Sequence, residues 1–79
     1  MSPTVFNEGP YRFFFFSREE PRMHVHINSG DGEAKFWLEP IISLANYSGL
    51  NTKQLTRVQN LVIEHETEIR EAWNEHFNS

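Results

Sequence analysis

Two histidines separated by one residue are the side chains in this sequence best suited to chemistry. His24 and His26 lie in the run Met-His-Val-His-Ile, where apolar residues and imidazoles alternate strictly. That period of two predicts a β-strand, so both imidazoles stand on one face, about 7 Å apart. Because histidine titrates near neutral pH, the pair can supply a general acid and a general base. The spacing is wide enough to straddle a phosphodiester.

The residues alone leave three interpretations of this pair open. In the first, the imidazoles hydrogen-bond to Glu33 or Glu39 and have only a structural role. In the second, they cleave RNA without a metal by activating its own 2′-hydroxyl, and Lys35 or Arg12 holds the phosphate. In the third, they bind a metal ion, which for zinc requires another protein ligand. The candidates for that ligand are Asp31, Glu33 and His65.

The first half of the chain has the pattern of an antiparallel sheet. Short β-prone or alternating segments are separated by turn-forming residues such as those at 7–10 and 28–32. We expect three to five strands within residues 4–45. The segments are 4–6, 11–16, 23–27, 33–38 and 41–45.

The second half predicts a helix over about residues 52–77, with Asn51 or Thr52 as its N-cap. Neither proline nor glycine interrupts residues 50–79, and apolar side chains recur mostly every three or four positions. The helix is either continuous or bent near 64–66. We expect the stripe to pack on one sheet face, with Ile69 and Trp73 in the core. The fold is then α+β, with two layers in one domain over residues 1–79. The stripe is Leu55, Val58, Leu61, Val62, His65, Ile69, Trp73 and Phe77.

One helix layer leaves the other face of the sheet uncovered. If Val25 and Ile27 point towards the helix, alternation places the histidines on the uncovered face. We assign catalytic roles to His24, His26 and Lys35 there. The candidate binding residues on this face are Arg12, Phe14, Phe16 and Trp37. Exposed aromatic area of this kind is typical of a partner surface, so we expect a homo-oligomer or a hetero-complex.

Composition excludes several classes of function. With no cysteine among 79 residues, the chain has neither disulfides, nor thiolate zinc sites, nor a cysteine nucleophile. No Walker loop or dinucleotide fingerprint is present, so we expect no cofactor. The net charge of −4 requires any RNA-binding surface to be a local patch. No signal peptide or membrane-length apolar run is seen, so a cytoplasmic protein without a membrane association is expected.

Three segments resemble a family of small bacterial proteins classified as a domain of unknown function, with an HVHV…GDGEAKFWLEP signature. They are Tyr-Arg-Phe-Phe-Phe-Phe-Ser at 11–17, Pro-Arg-Met-His-Val-His-Ile at 21–27 and Gly-Asp-Gly-Glu-Ala-Lys-Phe-Trp-Leu-Glu-Pro at 30–40. The resemblance extends to the ending Glu-Ile-Arg-Glu-Ala-Trp-Asn-Glu-His-Phe. Arg22 and Met23 depart from the usual Pro-Pro before the histidines.

The resemblance implies a role rather than a reaction. Members resemble one half of a two-gene module of the toxin–antitoxin kind, beside a second small protein. The size and strand content are also similar to those of small messenger-RNA interferases. The leading hypothesis is a toxin that acts on RNA through His24 and His26, as a metal-independent endoribonuclease. The alternatives are a non-catalytic module that binds a small cognate protein encoded nearby, and a histidine-based metal-binding protein.

Overall fold

The protein is a five-stranded antiparallel sheet covered on one face by two helices, which confirms the predicted α+β class. The computed structural model describes residues 4–16 and 21–78. The strand order is β1-β2-β3-β4-β5, so every strand pairs with its neighbours in sequence. The strands are β1 (Thr4–Glu8), β2 (Tyr11–Phe14), β3 (His24–Asn28), β4 (Glu33–Trp37) and β5 (Ser43–Ser48), and the helices are α1 (Thr52–Glu64) and α2 (Glu66–Asn78).

Strand β5 differs most from its predicted limits. It was expected at 41–45 but covers Ser43–Ser48, so the sheet extends beyond the predicted end at residue 45. The chain needs the residues between β4 and Ser43 to reverse direction, and Ile41 remains 71% exposed in that turn. Ala45 is an extra residue opposite the Lys35–Phe36 step, which makes a β-bulge. The two apolar residues at 41 and 42 therefore lie in the turn and not in the strand.

The core lies between the sheet and the helices. Val25 and Ile27 of β3 are buried there, as alternation predicted, and so is Phe36 of β4. The aromatic run at 13–16 divides in the same way, because Phe13 and Phe15 belong to this core. The helical residues buried against them are Val58, Leu61, Val62, Ile69 and Trp73, which confirms the predicted stripe.

The helical layer bends at His65. The bent helix is one of the two forms that the sequence predicts. The His65 amide donates to Leu61 at 3.0 Å and its carbonyl accepts from Ile69 at 2.9 Å, so helical hydrogen bonds continue through the bend. At the other end, Asn51 and Gln54 form a capping box with bonds of 2.8 and 2.9 Å. Neither α1 nor α2, as far as the structure describes them, is long and apolar enough to cross a membrane.

Arg70 fixes α2 to one end of the sheet. Its Nη2 donates to the carbonyl of Leu38 at 2.8 Å, and its Nε donates to Glu66 Oε2 at 2.8 Å. Its Nη1 also lies 3.7 Å from Glu39 Oε2. A guanidinium suits this role, because it can serve several acceptors in one plane. The bond to Glu66 lies along the helix, whereas the bond to Leu38 joins the helix to the sheet.

Candidate functional site on the open sheet face

Four side chains cross the sheet on the face that the helices leave uncovered, which we call the open face. They are successive cross-strand partners, and directly paired residues in antiparallel strands share a face. None of them belongs to the core beneath the helices. This row is Phe14 on β2, His26 on β3, Lys35 on β4 and Asn46 on β5.

His24 does not take part in this exposed row, although it precedes His26 by two residues. Its side chain is fully buried, and its Nδ1 donates to the carbonyl of Arg22 at 2.6 Å. The rings of His26, Trp37 and Trp73 surround it, with centroid distances of 5.1, 5.5 and 5.1 Å. Its Nε2 has essentially no solvent-exposed surface. The sequence predicts that His24 is uncovered, and this is wrong because Trp73 of α2 contacts its ring.

His26 lies within an aromatic cluster on the open face. Its ring stacks on Phe14 with centroids 5.5 Å apart, and Phe16 lies against it at 4.3 Å. Phe14 and Phe16 meet edge to face at 5.4 Å. Phe14 is nearly buried by its neighbours, whereas Phe16 is 45% exposed. The cluster therefore fixes the orientation of the His26 ring and presents the Phe16 ring to solvent.

Three cations lie over aromatic rings of the same face. The Arg12 guanidinium is 4.5 Å from the centre of the Phe14 ring. The Arg22 guanidinium and the Lys35 ammonium lie 4.1 and 4.3 Å from the centre of the Trp37 ring. Such contacts are favourable because the ring face carries partial negative charge. The open face thus combines positive charge with aromatic surface.

The opposite layer of the molecule is acidic. A depression of about 500 Å³ lies beside α2, and Val5 and Ala72 form its apolar part. Carboxylates surround it, which disfavours any anionic ligand there. The negative charge of the chain is therefore concentrated on the helical layer, and the open face carries the cations described above. The remaining residues lining this depression are Glu64, His65, Thr67, Glu68, Glu71 and Glu75.

A pocket of about 340 Å³ opens on the uncovered face, centred on the row of four. Its walls are aromatic on the β2 side and polar on the β4 and β5 side, where Lys35 supplies a positive charge and Glu33 a negative one. This volume is at the small end of the range of ligand pockets, and it suits one planar ring. The lining residues are Phe14, Phe16, His26, Ile27, Glu33, Ala34, Lys35 and Asn46.

A family model described as "Domain of unknown function (DUF4160)" matches residues 11–74. That range contains both histidines and every residue that lines the open-face pocket. The chain belongs to the DUF4160 family. The predicted resemblance to a domain-of-unknown-function family is thereby confirmed. No curated protein and no solved structure shows a match to the chain.

The DUF4160 chain does not bring the candidate metal ligands together. Asp31 accepts a hydrogen bond from Gln54 at 2.9 Å, and His65 bonds to Glu68 at 2.8 Å on the helical layer. Glu33 is on the open face, but it pairs with Asn28, at the other end of β3 from buried His24. Within residues 4–16 and 21–78, no group of three potential ligands is close enough to hold a metal ion.

Two residues of the DUF4160 open face were missed by sequence reasoning. Arg22 continues the alternation of His24 and His26 by one more step, so the period of two contained the signal that could have identified it. Asn46 was missed because β5 was placed too early in the chain, and the bulge at Ala45 changes which residues share a face. No local sequence pattern predicts that bulge.

Proposed function

We propose that this DUF4160 protein is the toxin component of a bacterial toxin–antitoxin pair and acts on single-stranded RNA bound to its open face. The toxin role comes from the family resemblance noted in the sequence. The RNA role rests on one observation, which is that Arg12, Arg22 and Lys35 lie over aromatic rings on a single face while the opposite layer is acidic. Single-stranded nucleic acids bind to surfaces that combine such cations with aromatic stacking platforms.

The pocket suggests how one nucleotide would be held. An unpaired base would enter beside Phe16, whose ring is accessible, and stack against the aromatic wall. The amide of Asn46 offers a donor and an acceptor to the edge of that base. Lys35 and Arg22 would then contact the phosphates on either side of it. Double-stranded RNA has no unstacked base to offer, so single-stranded RNA is the favoured ligand.

His26 is the histidine that we assign to chemistry. It borders the pocket and lies opposite Lys35, whereas His24 is buried beneath the surface. In this proposal His26 accepts the proton of a 2′-hydroxyl, and Lys35 stabilises the negative charge that develops on the phosphate. The 2′-oxygen bonds to phosphorus, and the 5′-oxygen leaves after taking a proton from water or from the protonated imidazole. This mechanism uses one imidazole and one cation, whereas the mechanism expected from the sequence used both histidines.

RNA binding should be salt-dependent, and Lys35→Gln should weaken that dependence. Each phosphate contact to single strands contributes about −0.7 to the slope of log Kobs against log salt, so three cations predict about −2. We expect Lys35→Gln to change the slope to about −1.4. The measurement is the fluorescence anisotropy of a short labelled oligouridine between about 50 and 200 mM salt.

The matched control for that experiment is Lys53→Gln on α1, which removes the same charge from the helical layer. It should leave both the affinity and the slope at wild-type values. If the two variants weaken binding equally, the RNA contacts the protein without a preferred face. If no binding is detected for the wild-type protein, the RNA proposal is wrong.

His26→Ala should abolish growth inhibition without unfolding the protein. Its ring is only partly buried and lies outside the core, and loss of a general base slows a reaction by about 10²–10⁴-fold. Induction of the gene in a host, scored for growth and for RNA cleavage, provides the measurement. His76→Ala, which removes an exposed histidine of α2, is the control and should remain inhibitory. Full toxicity of His26→Ala would exclude catalysis by this residue.

The open face also supports a second function, binding of the small cognate protein. Tryptophan, phenylalanine and arginine are enriched at the centres of protein interfaces, and Trp37, Phe16 and Arg22 are all present here. Co-purification of the protein encoded by the adjacent gene, with wild type and with Phe16→Ala, separates the two functions. Capture that depends on Phe16, together with a failure to bind oligouridine, would favour this second function.

A further inference from the structure

Strand β5 forms an edge of the sheet whose side chains offer none of the usual protection, so the bulge at Ala45 is its one protective feature. Ser43–Ser48 has the sequence Ser-Leu-Ala-Asn-Tyr-Ser, which contains neither a charge nor a proline. Natural edge strands commonly carry such residues because they prevent pairing with another chain. At the other edge, β1 ends at Glu8, whose carboxylate lies 3.9 Å from Arg57 of α1. The two edges therefore differ in how they are protected.

Two apolar side chains on the helical side of β5 are only partly covered. Leu44 pairs with Phe36 and Tyr47 pairs with Ala34, and both partners are core residues, so Leu44 and Tyr47 lie on the helical face. They remain 41% and 53% exposed. The bulge at Ala45 is the reason that residues three apart share this face.

This spacing makes β5 complementary to itself. When the strand pairs with a second copy in antiparallel orientation about a twofold axis between Ala45 and Asn46, Leu44 lies opposite Tyr47 of the second copy. Ser43 likewise lies opposite Ser48. Cross-strand pairs between an aromatic and an aliphatic side chain are stabilising, and no like charges meet anywhere along the strand. The sequence of β5 is therefore compatible with antiparallel pairing to β5 of a second copy.

We infer that β5 is a homodimer interface, in which two copies join edge to edge into a ten-stranded antiparallel sheet. The occupant is a second copy of this chain, because one antiparallel register of β5 with itself places Leu44 against Tyr47 and brings no charges together. An interface that contains the same residues from both partners is the usual form of a twofold dimer. The Asn46 residues lie beside the axis, so the two open-face pockets become neighbours on one continuous surface.

Engineered cysteines can test both the dimer and its register, since the chain contains no cysteine of its own. Directly opposite residues have Cβ atoms about 4.5–5.5 Å apart, which is close to disulfide geometry. Residues 44 and 47 of one strand are about 10 Å apart, too far for a bond within one copy. We expect the double variant Leu44→Cys/Tyr47→Cys to form covalent dimers under mild oxidation, and each single variant to remain uncrosslinked.

A mixture of the two single variants should also form the covalent dimer, as seen on a non-reducing gel. Ile41→Cys is the control for random collision, because Ile41 is highly exposed but lies outside β5. Failure of the double variant to crosslink above this control would overturn the proposal. Equal crosslinking by a single variant would overturn the register.

Sedimentation equilibrium provides a second, non-covalent test. Wild type should be a dimer at micromolar concentration, and Tyr47→Lys should be a monomer with an unchanged circular dichroism spectrum, because a lysine protects an edge strand. Ile41→Lys should remain dimeric. A monomeric wild type overturns the proposal, and if Tyr47→Lys then loses binding to the cognate protein, that protein occupies the edge instead. Both tests are independent of RNA, so the dimer and the proposed function can fail separately.

Discussion

Alanine in place of Trp73 should lower the free energy of unfolding by about 3–5 kcal/mol. The indole of Trp73 is 6% exposed and packs against two rings on the sheet side and one ring of α2 itself. Its centroid lies 5.3 Å from Phe15, 4.2 Å from Phe77 and 5.1 Å from His24. Alanine would leave a cavity among rings that cannot collapse into it without moving the helix. Small domains commonly have only about 5 kcal/mol in total, so the variant should be largely unfolded at 37 °C.

The matched control is Trp37→Ala, which makes the same chemical change on the open face. Trp37 is only partly buried, and the cations of Arg22 and Lys35 lie over its ring. We expect a loss of about 1–2 kcal/mol at most, together with weaker RNA binding. Urea denaturation followed by circular dichroism compares the two. A Trp73→Ala protein as stable as wild type would show that the indole does not hold α2 on the sheet.

Gly32→Ala should also destabilise the fold strongly, by about 3 kcal/mol or more. A Cβ at Gly32 would overlap the carbonyl oxygen of Ser48 and lie 2.7 and 2.8 Å from the carbonyl carbon and Cα of Gly49. All of these are backbone atoms, so no side-chain rotation can relieve the contact. The β3–β4 hairpin would have to separate from the segment between β5 and α1. That movement would also disturb the Gln54–Asp31 hydrogen bond.

Gly30→Ala is the control in the same turn, because a Cβ at Gly30 meets no atom within 4 Å. Its unfolding free energy should stay within about 0.5 kcal/mol of wild type. Thermal and chemical denaturation of both variants measures the difference. If Gly32→Ala unfolds at the same denaturant concentration as Gly30→Ala, the close approach of the two loops does not contribute to stability.

The sequence predicted most of the fold because its signals are local. Alternation around Val25 and Ile27 set the buried face of β3, and the helical stripe set the buried face of α1 and α2. The capping residue Asn51 was likewise visible as a side chain that satisfies the first helical amides. In each case the physical cause acts within a few residues, so a single sequence is sufficient to show it.

The candidate site was only partly predictable, because its decisive feature is a tertiary contact. Alternation correctly gave His24 and His26 the same direction from the strand. It could not show that Trp73, 49 positions along the chain from His24, would cover one imidazole and not the other. Burial of that kind depends on where the helix crosses the sheet. Only the tertiary structure therefore shows that His24 is buried whereas His26 borders the pocket.

The sequential strand order has a consequence for how the chain folds. Because each strand pairs only with its sequence neighbours, the sheet can grow one hairpin at a time, and each step closes only a short loop. Docking of α1 and α2 brings together the contacts most distant in sequence, so we expect it to come last. Until then the core side of the sheet, including Phe13, Phe15 and Phe36, is exposed to water. A chain interrupted before α2 would therefore aggregate through its aromatic strand instead of forming a smaller stable domain.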